Sequence, residues 1–410
     1  MHEKHYIAEL GGWQGFKVGT VGRYDSEAKG IRDEVWIELY PDPDHPMTCS
    51  GCEEPTRMVH DCSERWIRDL PVWGADTLLL VHLRRVKCSR CGTAMEKVAW
   101  LSPYARVTDR LAQSVSVLCR DMPIRQVAEH YGLSWDSVKR IHKAYLRKHL
   151  GEPDLSQVQV LGLDEFAIQK GHRYATIILE PSTRRVLWVC RGRGREDIRP
   201  FFEKLGEDGR KRIQAAVMDM WEPYENEVRA QCPNAKVVYD LFHVKGKYGR
   251  EVIDRVRVDE ANRLKEDRAA REIVKGSKWL LLRNRDNLRC NDRIRLKDLL
   301  DANKHLATAY ILKDDLAHLW DFVYEGAVRR FWNEWYSRAM HSRIGPLRKF
   351  ATALNKRIHG VLAHCHYPLN TSVIEGINNK IKVIKRMAYG FRDDEYFFLR
   401  IREAFPGIRG

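Results

Sequence analysis

Residues 158–168 form the stretch that most constrains the fold, because an apolar segment rich in β-branched residues carries an aspartate near its middle. The sequence Val-Gln-Val-Leu-Gly-Leu-Asp-Glu-Phe-Ala-Ile is typical of a buried strand, and Asp164 interrupts it. A carboxylate in a buried strand needs a compensating partner. Strand-like segments follow at 174–179 and 185–190. The pattern predicts a three-stranded antiparallel meander with an acidic residue on its first strand.

The segments after this meander alternate between helix and strand. Residues 196–205 and 221–230 are predicted helices, and residues 212–219 and 235–240 are predicted strands. The order β-β-β-α-β-α-β predicts an RNase H-like core, in which the fourth and fifth strands join in parallel beside the first through right-handed crossovers. Strands one and four are neighbours in that topology.

Acidic residues end both of the later strands. Asp219 ends the fourth strand, so the topology brings it within a metal ion's reach of Asp164. Asp240 ends the fifth strand and is the alternative second ligand. If Asp219 holds that position, Asp240 and His243 are predicted to support the ligands or to position a DNA strand. Glu165 alternates to the opposite face of the first strand and is predicted to be structural.

A long helical region separates these strands from a last amphipathic helix. Residues 245–362 are heavily charged and show no strand signal, which predicts an all-α insertion. In residues 371–386 the isoleucines form a stripe that can dock on a sheet. Glu375 lies on the polar face and is the predicted third carboxylate. A simple capping box formed by Ser372 and Glu375 is the alternative.

Polar and basic side chains of the last helix are predicted to contact a DNA backbone, and a solvated basic face is the alternative. They are Asn379, Lys382, Lys385 and Arg386. Arg193 and Arg195, which flank a glycine after the third strand, are predicted to contact the backbone too. That loop lacks the third glycine of a nucleotide-binding motif.

Two Cys-x-x-Cys pairs lie in the N-terminal part of the chain. Cys49 and Cys52 form the first pair, and Cys88 and Cys91 form the second. Each pair presents two thiolates from one tight turn, which predicts a zinc ribbon. Because four cysteines leave zinc no open position, the predicted site is structural rather than catalytic. Four unligated thiols in a reduced protein are the alternative.

A helix-turn-helix is predicted after the ribbon. Gly132 lies at the turn and Ser134 is positioned to cap the second helix. A generic three-helix bundle is the alternative, but the basic second helix favours DNA binding. The side chains predicted to reach a major groove and its phosphates are Trp135, Lys139, Arg140 and Lys143.

Composition narrows the class of partner. A formal charge of +15 and a pI near 9.3 indicate a polyanion, and nucleic acid is the first choice. No apolar run approaches the length of a membrane span, and the N-terminus lacks a signal-peptide pattern. Ten cysteines are too few for a disulfide scaffold in a chain of 410 residues. We therefore expect a cytoplasmic, nucleoid-associated protein with no membrane partner.

The three carboxylates match the needs of a two-metal phosphodiester site. Mg²⁺ is held by one or two carboxylates together with water and substrate oxygens. Two such ions stabilise the attacking and the leaving oxygen of an in-line displacement. We therefore expect two Mg²⁺ or Mn²⁺ ions at Asp164, Asp219 and Glu375, and one structural Zn²⁺ at the cysteines.

Several motifs together resemble the DDE transposases of bacterial insertion sequences, and the insertion-sequence L-three family in particular. They are the cysteine ribbon, the helix-turn-helix, Leu-Asp-Glu-Phe (163–166), Val-Met-Asp-Met-Trp-x-x-Tyr (217–224), Asp-x-Phe-His (240–243), Ile-Glu-Gly-x-Asn-x-x-Ile-Lys (374–382) and Tyr-Gly-Phe-Arg (389–392). The resemblance implies that Asp164, Asp219 and Glu375 form the metal-binding triad. It also implies binding of terminal inverted repeats, hydrolysis that frees a 3′-OH, and attack of that hydroxyl on target DNA.

The expected architecture is a multidomain α/β protein with an RNase H-like mixed-sheet core. The predicted segments are a β element (1–46), a zinc ribbon (47–100), a helix-turn-helix (101–151), the first part of the core (152–244), an all-α insertion (245–362) and the C-terminal part of the core (363–410). Synapsis of two element ends suggests a homodimer or larger assembly on double-stranded DNA. The alternatives are a non-catalytic DNA-binding regulator and an RNase H-like nuclease.

Overall fold

The computed structural model describes residues 11–26, 32–169, 171, 173–283, 287–368 and 372–408. The chain divides into two compact units, which meet at Gly151 and Glu152. The division falls at the start of residues 151–156, which include one glycine, one proline and one serine.

The first unit opens with a sheet that holds both the N-terminal element and the ribbon. The strands of this unit are β1 (Phe16–Tyr24), β2 (Glu34–Pro41), β3 (Met47–Thr48), β4 (Pro55–Thr56), β5 (Val59–Val72), β6 (Ala75–Cys88) and β7 (Gly92–Met95), of which β3 and β4 form a small sheet of their own. The order is β1-β2-β6-β5, with β7 on β6 and β3 paired with β4. Leu39 of β2 and Leu79 of β6 share one buried core. The predicted boundary at residue 46 therefore runs through a single sheet, while residues 1–10 lie outside the described chain.

Three helices complete the first unit, and they confirm the predicted helix-turn-helix. They are α1 (Asp109–Asp121), α2 (Ile124–Tyr131) and α3 (Trp135–Leu150). Gly132 ends α2 in the left-handed region with φ 61°, where a residue without Cβ is favoured. The hydroxyl of Ser134 then caps α3 by accepting from the backbone N–H of Ser137.

The second unit is built on a five-stranded mixed sheet. Its strands are β8 (Val160–Gln169), β9 (Arg173–Glu180), β10 (Arg185–Arg191), β11 (Ala215–Met218) and β12 (Lys236–Tyr239), in the order β10-β9-β8-β11-β12. The first three pair antiparallel, and β11 pairs in parallel with both β8 and β12. Helices α4 (Arg195–Arg212) and α5 (Glu222–Gln231) are the crossovers. The predicted order is confirmed, although β11 begins only at Ala215 because Arg212 still belongs to α4.

Every regular element described between residues 241 and 368 is helical. The helices are α6 (Leu241–Tyr248), a π-helical turn (Gly249–Ile253), α7 (Asp254–Arg263), α8 (Arg268–Gly276), α9 (Lys278–Leu282), α10 (Cys290–Ala302), α11 (Lys304–Ala317), α12 (Glu325–His341), α13 (Gly345–Asn355) and α14 (Ile358–Leu362), with short 3₁₀ turns at His318–Asp321 and Ala363–Cys365. Trp320, Trp332 and Trp335 are buried in their core, which continues onto one face of the sheet.

Two last helices, α15 (Ser372–Met387) and α16 (Asp394–Ala404), cover the other face of the sheet. The predicted isoleucine stripe of α15 is buried there, and it consists of Ile374, Ile377, Ile381 and Ile384. Burying each of these side chains contributes about 1.5–3 kcal/mol. Gly162 of β8 permits this close approach, since a Cβ there would lie 3.2 Å from Cδ1 of Ile374.

No helix among the described residues is both long enough and apolar enough to cross a membrane.

Candidate active site

Three aspartates lie in one row across the parallel strands. Gly162 of β8 pairs with Val217 of β11, so the same register carried on by two residues sets Asp164 opposite Asp219. Met218 pairs with Tyr239 of β12, which sets Asp219 opposite Asp240 in the same way. Neighbouring strands are about 4.8 Å apart, and residues directly opposite point to the same face. The fold thus gathers three carboxylates at the end of the sheet.

Burial and crowding change the protonation of this row. Asp164 is only 6% exposed. The pKa of its carboxyl is raised to about 6, mainly by burial and in part by the neighbouring Asp219 and Asp240 carboxylates, while His243 and the backbone N–H of Glu165 act to lower it. Burial also raises the pKa of Asp219. Such a cluster stores repulsion that a bound cation would relieve.

An asparagine on α15 reaches the first carboxylate. Nδ2 of Asn378 donates to Oδ2 of Asp164, and Oδ1 of Asn378 is buried without a hydrogen-bond partner among the described residues. Glu375 lies one turn earlier on the same helix and is exposed. Since residues three apart share a helical face, Glu375 lies on the same face of α15 as Asn378.

The carboxylates of the row are spaced more widely than the four cysteines of the first unit. The only group of three or more His, Cys, Asp or Glu side chains in the described ranges whose ligand atoms all lie within 4.8 Å is the cysteine cluster. The carboxylate oxygens of Asp164, Asp219 and Glu375 therefore do not all lie within 4.8 Å of one another. Carboxylates are nevertheless the ligands that Mg²⁺ and Mn²⁺ prefer. The orphaned Oδ1 of Asn378 and the raised pKa of Asp164 agree with a cation that would bind among them.

Asp240 and His243 lie at the edge of this row. Oδ1 of Asp240 caps α6 by accepting from the backbone N–H of Phe242 at 2.7 Å. Nε2 of His243 is 3.8 Å from Oδ2 of Asp240. One oxygen of Asp240 is thus committed to local structure, and its role as support or as ligand stays a prediction.

Arg193 is held in a cage beside Asp219. Its guanidinium carbon lies 4.3 Å from the ring centroid of Tyr174 and 4.4 Å from that of Trp221. Its Nη1 donates to Oε1 of Glu165 at 2.9 Å. The indole N–H of Trp221 donates to the backbone carbonyl of Arg193 at 2.8 Å, and the backbone N–H of Trp221 donates to Oδ1 of Asp219 at 3.0 Å. Trp221 therefore ties the arginine loop to the carboxylate row.

The remaining predicted DNA contacts differ in how far they are engaged within the protein. Arg195 pairs with buried Glu227 at 2.9 Å. Lys385 donates to the backbone carbonyl of Ala167 at 2.9 Å, and Lys382 donates to Oδ1 of Asn379 at 3.2 Å. Arg386 is exposed. On α3 of the first unit, Trp135 and Arg140 are exposed, and Lys139 and Lys143 are half-buried. DNA binding by each of these side chains stays a prediction.

The four predicted zinc ligands converge in the first unit. Cys49 and Cys52 lie in the turn between β3 and β4, Cys88 ends β6, and Cys91 lies in the turn between β6 and β7. Sγ of Cys52 is 3.4 Å from Sγ of Cys88. Backbone N–H groups of Cys91 and Arg90 lower the pKa of Cys88 to about 7, whereas the Cys52 thiol raises the pKa of Cys91 to about 12. The cluster has the donors and the crowding of an all-thiolate metal site.

Sequence reasoning missed Asn378 as a partner of Asp164, and it missed the part of Trp221 and Glu165 in the arginine cage. Asn378 carried a signal, because its three-residue spacing from Glu375 sets both on one helical face. The cage around Arg193 left no signal in the sequence, because Arg193, Glu165, Tyr174 and Trp221 come from four separate segments of the chain.

A helix-turn-helix, a four-cysteine cluster and a carboxylate row on a mixed sheet are together typical of an enzyme that acts on DNA. The comparisons with known proteins agree with that class. The ISL3 DDE model, described as a transposase, matches residues 161–401. The helix-turn-helix domain of transposase family ISL3 matches residues 96–146. The zinc finger of the transposases of IS204, IS1001, IS1096 and IS1165 matches residues 45–91.

Full-length relatives give the same answer. The chain is 49% identical over 408 residues to the transposase for insertion sequence element IS1001 of Bordetella parapertussis, covering 99% of both chains. It is 24% identical over 348 residues to the transposase for IS1557 of Mycobacterium tuberculosis, covering 79% of this chain and 78% of the relative. The chain belongs to the ISL3 family of insertion-sequence transposases.

Proposed function

We propose that the protein moves an insertion sequence by cutting and joining DNA at Asp164, Asp219 and Glu375. The second unit then acts as an RNase H-like catalytic core (152–244 and 363–410) with an all-α insertion at 245–362. The observation that carries the proposal is the shared register that sets Asp164 opposite Asp219 beneath the helix of Glu375. Burial of the row raises the pKa of both aspartates, as expected where a cation is needed to complete the site.

The three carboxylates would hold two Mg²⁺ or Mn²⁺ ions, which supply charge stabilisation to the attacking and leaving oxygens of an in-line displacement. Asn378 orients Asp164 by its side-chain hydrogen bond, and the backbone N–H of Trp221 orients Asp219. In the first step the oxygen of water forms a bond to phosphorus and the 3′-oxygen leaves as a free 3′-OH. In the second step that hydroxyl forms the new bond to a target phosphate, whose own 3′-oxygen leaves.

We prefer Asp219 to Asp240 as the second ligand because β11 is the direct neighbour of β8. Asp240 lies one strand further out, and one of its oxygens caps α6. Asp219→Asn is therefore expected to abolish cleavage, whereas Asp240→Asn is expected to slow it. Equal loss in both variants would make Asp240 a ligand as well.

The first unit supplies DNA recognition in this proposal. One Zn²⁺ bound by Cys49, Cys52, Cys88 and Cys91 would hold the ribbon, and α3 would read the inverted repeats through the side chains predicted from sequence. Arg193 and Arg195, with the polar face of α15, would contact the backbone of the DNA strand beside the active site. Two element ends must be held together for transposition, so we infer a homodimer or larger assembly on double-stranded DNA.

The test is cleavage of a mini-transposon that carries candidate inverted repeats. Wild type with Mg²⁺ is expected to free 3′-OH ends and join them to target DNA. Asp164→Ala is expected to lose both products by at least about 10³-fold, since a metal ligand acts on both steps. Asp208→Ala, a change of the same kind at an exposed position of α4, is expected to keep wild-type activity. Products that survive Asp164→Ala would overturn the catalytic assignment.

Two other functions remain outcomes of that test. A non-catalytic regulator would bind the ends without cutting them in any variant. An RNase H-like nuclease would hydrolyse RNA–DNA hybrids and transfer no strand.

A further inference from the structure

A groove lined by basic residues runs along α13 of the second unit. Its inner part is a cavity of about 250 Å³, lined among others by Met220, Lys247, Lys356 and Arg357. Its outer part has a volume of about 460 Å³ and is lined among others by Arg348, Lys349, Thr352 and Lys356. The two parts share Ala353 and Lys356, so they form one continuous surface. We call this surface the basic groove.

The charges of the basic groove are available to a ligand. Arg348, Lys349 and Lys356 are exposed, and none of them makes an ion pair or hydrogen bond through its side chain with a described residue. No Asp or Glu is among the described residues that line either part. Two basic residues of the inner part do have acidic neighbours. Nζ of Lys247 is 3.8 Å from Oε1 of Glu251, and Nη2 of Arg357 is 3.9 Å from Oε2 of Glu222. The outer part is thus the more electropositive.

The sequence keeps acidic residues away from this region. Between Glu334 and Glu375 there is no Asp or Glu, although these residues number 56 in the 410 of the whole chain. The packing of α13 does not require this, because only its inner face is buried, through Leu347, Phe350, Ala351 and Leu354. An exposed helical face ordinarily mixes both signs of charge. A face of one sign indicates a polyanionic partner.

The spacing of the charges suits a nucleic-acid backbone. Arg348, Thr352 and Lys356 recur every four residues, so they align on one side of α13 over about 12 Å. That is the axial length of three to four nucleotides of one strand, at about 3.4 Å each. Nη1 of Arg357 donates at 2.5 Å to the backbone carbonyl of Met220, the residue after Asp219. The inner end of the groove therefore reaches the loop that follows Asp219 at the end of β11.

We propose that the basic groove binds the sugar–phosphate backbone of the DNA segment next to the phosphate that is cut. This inference rests on the proposed function, because it takes Asp219 to mark the site of cleavage. Arg348, Lys349 and Lys356 contact phosphates without reading bases, and Arg357 fixes the helical region to the loop after β11. The all-α region thereby contributes DNA affinity that does not depend on sequence.

The test measures binding of a fluorescein-labelled random-sequence 40-base-pair duplex to full-length protein at several salt concentrations. All proteins carry Asp164→Asn, so the DNA stays intact and the result does not depend on catalysis. The groove variant combines Arg348→Gln, Lys349→Gln and Lys356→Gln. The control combines Lys275→Gln, Lys297→Gln and Lys304→Gln, which remove the same charge from exposed positions of other helices in the same unit.

We expect the groove variant to bind about 10-fold or more weakly at physiological salt, with a slope of log affinity against log salt that is shallower by about 3. The control is expected to keep the parental slope. Equal affinity and slope in the two triple variants would overturn the proposal. A second measurement uses wild-type protein and amine acetylation read by mass spectrometry. DNA is expected to protect Lys349 and Lys356 more than Lys297, and equal modification with and without DNA would contradict the groove.

Discussion

The cysteine cluster and the carboxylate row are both places where like groups crowd together, but they are built in opposite ways. The four thiols close around one point, with all ligand atoms within 4.8 Å of one another. The carboxylates come from two strands and a separate helix and are spread more widely. A closed thiolate set favours one tetrahedral ion that organises the fold, whereas an open carboxylate set leaves positions for water and substrate oxygens. Metal should therefore matter for folding at the first site and for chemistry at the second.

The strongest test of this contrast removes a ligand from the closed site. Cys88→Ser is expected to lower bound zinc from about one per chain to near zero and to unfold the ribbon, because structural zinc sites contribute folding free energy outright. Cys62→Ser, at an exposed cysteine outside the cluster, is expected to keep both zinc and structure. Metal analysis and circular dichroism measure the two effects. If the Cys88→Ser protein lacked zinc and still folded, the cluster would have no structural role.

The second test loosens the open site without touching a carboxylate. Trp221→Ala removes a ring that holds Arg193 and the indole N–H that fixes the arginine loop, while the backbone N–H bonded to Asp219 remains. We expect strand cleavage to fall about 100-fold in kcat with little change in KM, since small misplacements at a reacting centre are costly.

Two variants control for this effect. Trp221→Phe keeps an aromatic face for Arg193 and is expected to lose about 10-fold, because the ring interaction is retained in part. Trp279→Ala, at a tryptophan that is 68% exposed, is expected to have no effect. If Trp221→Ala cleaved at the wild-type rate, the cage would have no role in positioning the site.

The smallest effect is a pH dependence of stability in protein that carries zinc but no Mg²⁺. The folded-state pKa of Asp164, about 6, is above its unfolded value of about 3.9. The native state therefore binds more protons between these values, and the free energy of unfolding falls as pH rises from about 4 to about 6. The fall is about 2–3 kcal/mol at most.

Scanning calorimetry of the second unit measures this effect. Asp164→Asn is expected to abolish most of the fall and to be more stable than wild type at pH 7 without Mg²⁺. Adding Mg²⁺ at pH 7 is expected to raise the wild-type midpoint and to leave that of Asp164→Asn unchanged. A wild-type stability that rises over this pH range would mean that the carboxylate row is not strained.

The two sites also differ in how much of them the sequence predicts. Short-range patterns define the cysteine pairs. The strand order places Asp164 and Asp219 on neighbouring strands, as the sequence predicts. Register explains why this works, since Asp219 directly follows the end of β11, and the parallel pairing of β11 with β8 sets it opposite Asp164. The shared sheet of β2 and β6 was not foreseen, because pairing between distant strands leaves no local signal. Likewise the contact of Asn378 with Asp164 depends on how α15 packs against the sheet. Gly162 permits that packing, but a glycine in a strand does not predict it.

The carboxylate row is proposed to be a divalent-cation site that includes Asp164. The direct measurement is titration of the zinc-loaded protein with Mn²⁺, followed by the electron paramagnetic resonance signal of the free ion. Wild type and Asp208→Asn are expected to bind Mn²⁺ alike, and Asp164→Asn is expected to bind at least about 10-fold more weakly, because it loses a charged ligand of the proposed site. Unchanged Mn²⁺ binding by Asp164→Asn would show that Asp164 is not a ligand of a divalent cation.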